Sequence, residues 1–386
     1  MFTLIKGGTL YGPAKMGGKD VLIVGRSIAR IAERIDVPGD FQAQIVSASG
    51  KIVTPGLIDL HVHLLGGGGE GGPRTRTPEI TLSQITRAGV TTVVGCLGTD
   101  DVSRRPETLL TKAMQLEAEG ISTYIYCGSY QFPPPTVTGS VRKDLALIPK
   151  IIGVGEIAIS DHRSSQPSFE ELCRLAAEAR VGGMLGGKAG LVHLHIGSGR
   201  QMLEPIMRIV EETEIPIGQF LPTHLSRTQA LLEHALGFAR MGGNIDITVK
   251  GQELQFPLET ADALRMALEG GVAVEQITLS SDANGSMPVF DEKGRIIKLA
   301  VGDIRYLFSE VIGLVEAGFP LVDVLKTVTS NPAQRAGLYD TKGSIAEGKD
   351  ADLLILNPDF TIDTVIAKGR LMVHGGKIVV KGTFEG

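Results

Sequence analysis

At 386 residues with 42% hydrophobic content, the chain can bury a large core and suits one large α/β domain with a smaller one, or two domains. A formal net charge of -5, with no Lys/Arg run, argues against a nucleic-acid partner. No window approaches ~18 uninterrupted apolar residues, so no membrane span is expected. The N-terminus lacks the basic stretch and long apolar run of a signal peptide. Cys96, Cys127 and Cys173 show no metal-type spacing, which fits a reduced, cytoplasmic protein.

In chain order, short β runs open the sequence: Phe2–Lys6, Asp20–Val24, Ser27–Ile31 and Gln44–Ser47. Gly-rich turns are expected between them, at Lys6-Gly-Gly-Thr and Met16-Gly-Gly-Lys. Short β runs also close it: Asp352–Leu356, Thr361–Ala367, Arg370–Val373 and Lys377–Val380. Neither end closes a sheet alone, so residues 1–53 and 345–386 are expected to form one small β-sandwich domain. Residues 54–344 alternate. Strands are expected at Ile52–His63, Thr91–Gly95, Ser122–Tyr126, Ile151–Ile157, Leu191–Ile196, Ile217–Thr223, Asn244–Thr248 and Gln276–Ser281. Amphipathic helices are expected at Arg105–Glu119, Phe169–Arg180, Gln201–Thr213, Arg227–Met241 and Leu258–Glu269. Further helices follow at Leu307–Ala317 and Leu321–Val328, and another starts at Asn331-Pro332. Eight strand-then-helix units over roughly 280 residues match a (β/α)8 TIM-like barrel. A doubly wound sheet is the alternative, but no Gly-X-Gly-X-X-Gly follows the first strand.

A barrel gathers its chemistry at the C-terminal ends of its strands. Strand one ends in His61-Val-His63, whose side chains share a face because strands repeat every two residues. Glu156 sits near the end of strand four, His193 and His195 on strand five, His224 after strand six and Asp282 after strand eight. Four histidines (His61, His63, His195 and His224) with Glu156 and Asp282 suit two borderline metals such as Zn2+. His195 is preferred to His193 as ligand because it lies later on the strand, leaving His193 to the core or to support. Asp282 reads as ligand and proton shuttle rather than as a helix cap. His162, His234 and His374 read as non-ligands. Two bridged metals would hold a hydroxide and polarise a carbonyl, the requirement for amide-type hydrolysis.

Pro55-Gly-Leu-Ile-Asp-Leu-His-Val-His and Ala346-Glu-Gly-Lys-Asp-Ala-Asp-Leu resemble the amidohydrolase superfamily. Gly66-Gly-Gly-Gly-Glu-Gly-Gly-Pro, Ile159-Ser-Asp-His-Arg-Ser, Pro222-Thr-His-Leu-Ser-Arg and Ser281-Asp-Ala-Asn-Gly-Ser resemble its isoaspartyl (β-aspartyl) dipeptidases, over essentially the whole chain. The resemblance implies a dizinc hydrolase of β-aspartyl dipeptides, active as a homo-oligomer, with an octamer among the forms. It implies that Glu70 binds the substrate ammonium, that Arg163 and Arg227 clamp carboxylates, and that Tyr130 donates to the oxyanion. Thr99 and Ser286 would be further substrate contacts. The family pattern has a carboxylated lysine on strand four where this chain has Glu156, so the expectation is that Glu156 bridges the metals directly. The alternatives are a cyclic amidohydrolase of dihydroorotase or hydantoinase type, and a catalytically weakened homologue or non-catalytic scaffold.

Overall fold

Gly56 lies where the chain passes from a nine-stranded sheet into a six-stranded parallel one. The computed structural model describes residues 2–36, 42–249, 258–291 and 293–386. Strand Ile52–Pro55 pairs antiparallel with Leu353–Leu356, whereas Leu57–Val62 pairs parallel with Val90–Gly95. The single strand expected at Ile52–His63 is therefore two. A Cβ at position 56 would collide with the Thr91 side chain, so the chain passes this close only as glycine.

The parallel strands follow the expected order: Leu57–Val62, Val90–Gly95, Ser122–Cys127, Ile151–Ile159, Leu191–Ile196 and Phe220–Thr223 form a six-stranded sheet. Ile245–Thr248 and Ile277–Ser280 pair as strands seven and eight. The sheet curls round on itself. His63 N–H donates to Ala283 C=O at 2.8 Å beside the eighth strand. Side chains link strands six and seven, with Thr223 Oγ1 donating to Asp246 Oδ2 at 2.6 Å. Every residue of strands one, two, four, five, six and eight is buried, as expected for parallel strands covered on both faces. This is the TIM-barrel-type α/β fold.

The helices differ from expectation in two respects. Leu82–Arg87, capped by Thr81 and Gln84, and Val141–Leu147, capped by Ser140, are under two turns long; that is too short for the 3.6-residue period to register. The helix at Phe169 runs on to Gly186 rather than stopping at Arg180. There, a Cβ on Gly182 would meet Leu145 and one on Gly183 would meet Gly190, so close packing outweighs the poor helix propensity of glycine. Among the described residues, no helix is long and apolar enough to cross a membrane.

The second sheet has nine strands drawn from both chain ends. The two glycine pairs expected as turns lie inside strands Phe2–Tyr11 and Lys15–Val24 instead. The register shifts between Ile5 and Gly8, a bulge that lets the first half of Phe2–Tyr11 pair with Ala43–Ser47 and the second half with Ile52–Pro55. Ile5, Val21, Val46, Val53, Ile355 and Ile366 pack in one core. Beside it lies Lys342, whose side chain is 2% exposed and lies 2.8 Å from Asp350 and 2.7 Å from Asp352; Asp350 also takes Arg26 at 3.1 Å. This pairing ties the first strands to the last. Lys342→Ala should cost about 3–5 kcal/mol, because two carboxylates lose their buried cation. Arg26→Ala, at a 59% exposed side chain, should cost under about 1 kcal/mol. Thermal unfolding of the two variants checks this, and equal losses would contradict it.

Candidate metal centre and its pocket

Strand ends one, four, five, six and eight converge. His61, His63, Glu156, His195, His224 and Asp282 are all buried. Glu156 lies among the histidines. Its Oε1 is 2.8 Å from His195 Nδ1 and 3.0 Å from His224 Nε2. Its Oε2 is 3.2 Å from His61 Nε2 and 3.7 Å from His63 Nε2. Asp282 Oδ1 is 3.0 Å from His63 Nε2 and 3.4 Å from His61 Nε2. Burial raises a carboxyl pKa, but the charge of His61 and the hydrogen bonds from His195 and His224 hold Glu156 well below the usual range. Against the same burial, the charges of His61 and His63 hold Asp282 down at about 2.

The histidines are oriented from behind. His193 Nδ1 lies 3.1 Å from the Leu221 carbonyl, so it carries the proton and donates it. His193 Nε2 is then an acceptor, 3.0 Å from His61 Nδ1. That places a His61 proton on Nδ1 and turns Nε2 towards the cluster. Burial, reinforced by the charge of His61, lowers the His193 pKa to about 3, so the ring stays neutral, stacked on Tyr126 at 4.8 Å. His195 is held by Asp161 Oδ2, 3.0 Å from Nε2, which turns Nδ1 towards Glu156. His224 Nδ1 lies 2.7 Å from Thr248 Oγ1. Asp59, buried under the site, accepts from Ser281 N–H at 3.2 Å, from the Ser281 hydroxyl, and from His61 N–H at 3.1 Å.

Two of these side chains stand on strained backbone. His224 and Asp282 have φ of 66° and 51°, a region costing non-glycine residues about 1–3 kcal/mol. The chain turns there, just past the last residues of strands six and eight. Gly285 is needed for a steric reason, since a Cβ there would strike the Asp282 carboxylate.

A cavity of about 520 Å³ opens over the cluster, within the ~300–1,000 Å³ range of small-molecule sites. Glu70, Thr99, Tyr130, Arg163, Arg227 and Ser286 line it. Thr99 and Ser286 donate to Glu70 at 3.0 and 2.8 Å, and Arg163 Nη1 is 3.4 Å from Glu70. Arg163 also forms a fork with Asp161, with Nε and Nη2 at 3.0 and 2.8 Å from the two carboxylate oxygens. Arg227 differs, because its buried Nε has no hydrogen-bond partner among the described residues. The Tyr130 hydroxyl is 2.7 Å from His195 Nδ1, and burial together with the charge of Glu156 keeps its pKa well above the usual value. His162 reaches the cavity but packs edge-on against Phe290 at 4.7 Å.

All twelve residues singled out in the sequence lie in this cluster or around this cavity. Three contributors were not foreseen. Asp161 had the signal of following strand four beside Arg163. Cys96 follows strand two, at the same end as the histidines, and its sulfur lies 3.9 Å from both ring nitrogens of His63. The hairpin Ser286–Phe290 and Ile296–Val301, whose first strand lines the cavity, has no distinctive pattern after Asp282.

The residues suit metal ions. His61 Nε2, Glu156 Oε2 and Asp282 Oδ1 are buried without a hydrogen bond, although they approach imidazole or carboxylate atoms within 3.0–3.7 Å. Donor atoms that crowd together without bonding one another are typical of ligands around a shared cation, because buried polar groups otherwise find partners. Three overlapping groups have donor atoms within 4.8 Å of one another: His61, His63, Cys96 and Glu156; His61, His224 and Asp282; and Glu156, His195 and His224.

Imidazoles and carboxylates gathered at the C-terminal mouth of a TIM-type barrel define a metal-dependent hydrolase of the amidohydrolase class. The amidohydrolase family model matches residues 240–372. A crystal structure of a β-aspartyl dipeptidase from Fervidobacterium islandicum AW-1, in complex with β-Asp-Leu, is 46% identical with a TM-score of 0.94, covering 98% of this chain and 97% of that one. A dihydroorotase of Pelotomaculum thermopropionicum is 28% identical over 432 residues, spanning 98% of this chain and 95% of its own. A D-hydantoinase structure, at 18% identity and a TM-score of 0.70 over 100% of this chain and 98% of its own, shares the fold. The chain belongs to the β-aspartyl dipeptidase family of the amidohydrolase superfamily.

The orienting role of His193 is testable. His193→Phe keeps a ring on Tyr126 but removes the acceptor for His61. Zinc affinity, measured by competition with a chromophoric chelator, should fall about 10–100-fold with an unchanged circular dichroism spectrum. Unaltered affinity would contradict the assignment.

Proposed function

We propose that this chain hydrolyses the isopeptide bond of β-aspartyl dipeptides. The observation that carries the proposal is the charge pattern of the cavity. Glu70 and two guanidiniums, Arg163 and Arg227, line its walls, while the other two lining acids, Asp161 and Asp282, already face His195 and His63; among the described residues Arg227 Nε is buried and unpartnered. A β-aspartyl dipeptide presents one ammonium and two carboxylates, which match that pattern group for group. The 46% identical relative bound to β-Asp-Leu supports the same reading. Dihydroorotate, the substrate type suggested by relatives such as the 28% identical dihydroorotase, has no ammonium for Glu70.

His61, His63, Glu156, His195, His224 and Asp282 are the residues that would hold two divalent ions, Zn2+ by the mixture of imidazole and carboxylate donors. Such ions, when bound, lower the pKa of water towards ~7 and polarise a carbonyl. The remaining work belongs to side chains. Glu70 receives the α-ammonium, replacing its present contact with Arg163. Arg163 and Arg227 bind the carboxylates through planar N–H pairs. Tyr130 keeps its proton and turns its hydroxyl from His195 to the carbonyl oxygen as charge develops there. Asp282, ionised beforehand, takes a proton from the attacking water and delivers it to the leaving nitrogen as the C–N bond breaks. The products are aspartate and a free amino acid, formed by net addition of one water.

Purified, zinc-loaded protein should cleave β-Asp-Leu and leave α-Asp-Leu and dihydroorotate intact, as followed by chromatographic detection of leucine and by ring opening. Ring opening without dipeptide cleavage would overturn the proposal. Within the same reading, Arg227→Met should raise KM for β-Asp-Leu by at least about tenfold, since an ionic hydrogen bond contributes about 1.5–3 kcal/mol. An unchanged KM would remove Arg227 from the substrate contacts.

A further inference from the structure

Cys96 follows directly after strand two and is fully buried. Its sulfur is 3.9 Å from both ring nitrogens of His63, and the donor atoms of His61, His63, Cys96 and Glu156 all lie within 4.8 Å of one another. Ligands bound at ~2.0–2.3 Å in a tetrahedron stand roughly 3.3–3.8 Å apart, close to the sulfur–nitrogen spacing here. Two of the neighbours, His61 Nε2 and Glu156 Oε2, lie 3.2 Å apart, buried and without a hydrogen bond among the described residues. We propose that the Cys96 thiolate is a ligand, completing an S,N,N,O set with His61, His63 and Glu156.

The plainer reading makes Cys96 a small apolar residue packed with Val94 and Tyr126 inside the barrel. That reading accounts for its burial but not for a sulfur grouped with the donor atoms of His61, His63 and Glu156. The contrast with Cys127 is instructive. It is equally buried on the next strand, yet its thiol points to the Gly153 carbonyl at 3.6 Å and belongs to no donor group among the described residues. Without Cys96, His61, His63 and one Glu156 oxygen supply three donors, and Asp282 Oδ1, 3.0 Å from His63, would have to serve as the fourth. With Cys96 as the fourth, this set closes without Asp282, which stays grouped with His61 and His224. The thiol proton leaves to solvent when the ion binds, and the sulfur favours zinc over the harder magnesium and manganese ions. The assignment rests on the metal-hydrolase reading above but not on its substrate.

X-ray absorption at the zinc edge of the loaded full-length protein separates the two readings. A sulfur shell at about 2.3 Å should appear beside nitrogen and oxygen at about 2.0–2.1 Å. It should persist in the Cys127→Ser/Cys173→Ser double variant, where Cys96 is the only cysteine, and vanish in Cys96→Ser, together with a more than about tenfold loss of zinc affinity. Should Cys96→Ser fail to fold, the double variant still decides. A wild-type spectrum with nitrogen and oxygen alone would overturn the Cys96 assignment while leaving the dipeptidase proposal standing. Failure to bind zinc at all would overturn both.

Discussion

The site depends on one buried carboxylate. Glu156 is wholly enclosed by the barrel and approaches the imidazoles of His61, His63, His195 and His224 through its two oxygens. An ionised carboxylate left unpaired there would cost several kcal/mol. The protein keeps it charged by surrounding it with donors from three other strand ends, and it leaves one oxygen without a hydrogen bond. That combination favours a cation over a plain hydrogen-bond network.

The rest of the architecture keeps those donors pointing inward. Parallel strands bring residues distant in sequence to the same mouth. Behind them, Leu221 C=O and His193 set the proton of His61, Asp161 holds His195, and Thr248 faces His224. Strained His224 shapes the turn after strand six, and strained Asp282 with Gly285 the turn after strand eight. Arg163 joins the metal cluster to the substrate cavity, because the same guanidinium contacts Asp161 and Glu70. Substrate that captures Glu70 would therefore loosen one partner of the group that fixes His195.

Much of this was legible in the chain. Alternating strands and amphipathic helices, with His-X-His closing the first strand, pointed to the barrel and to five of its ligand-bearing ends. His195 was separable from His193 by position alone, and the structure puts His195 against Glu156 and His193 behind His61. What was hidden is instructive. The break at Gly56 is a matter of close approach to Thr91, which no local pattern encodes. Glycine pairs at 7–8 and 17–18 looked like turns, because local propensity cannot register a bulge or a sheet partner supplied by the other end of the chain. The place of Cys96 is not encoded in spacing along the sequence, because a barrel sets ligand spacing between adjacent strands.

The account turns on Glu156 holding both halves of the cluster together. The most direct test is metal content and β-Asp-Leu turnover of wild type and Glu156→Ala, both loaded with zinc in bicarbonate-free buffer. Two zinc ions per chain with turnover in the wild type, and less than one with no turnover in the variant, is the predicted result. A variant retaining full zinc content and full turnover would contradict it.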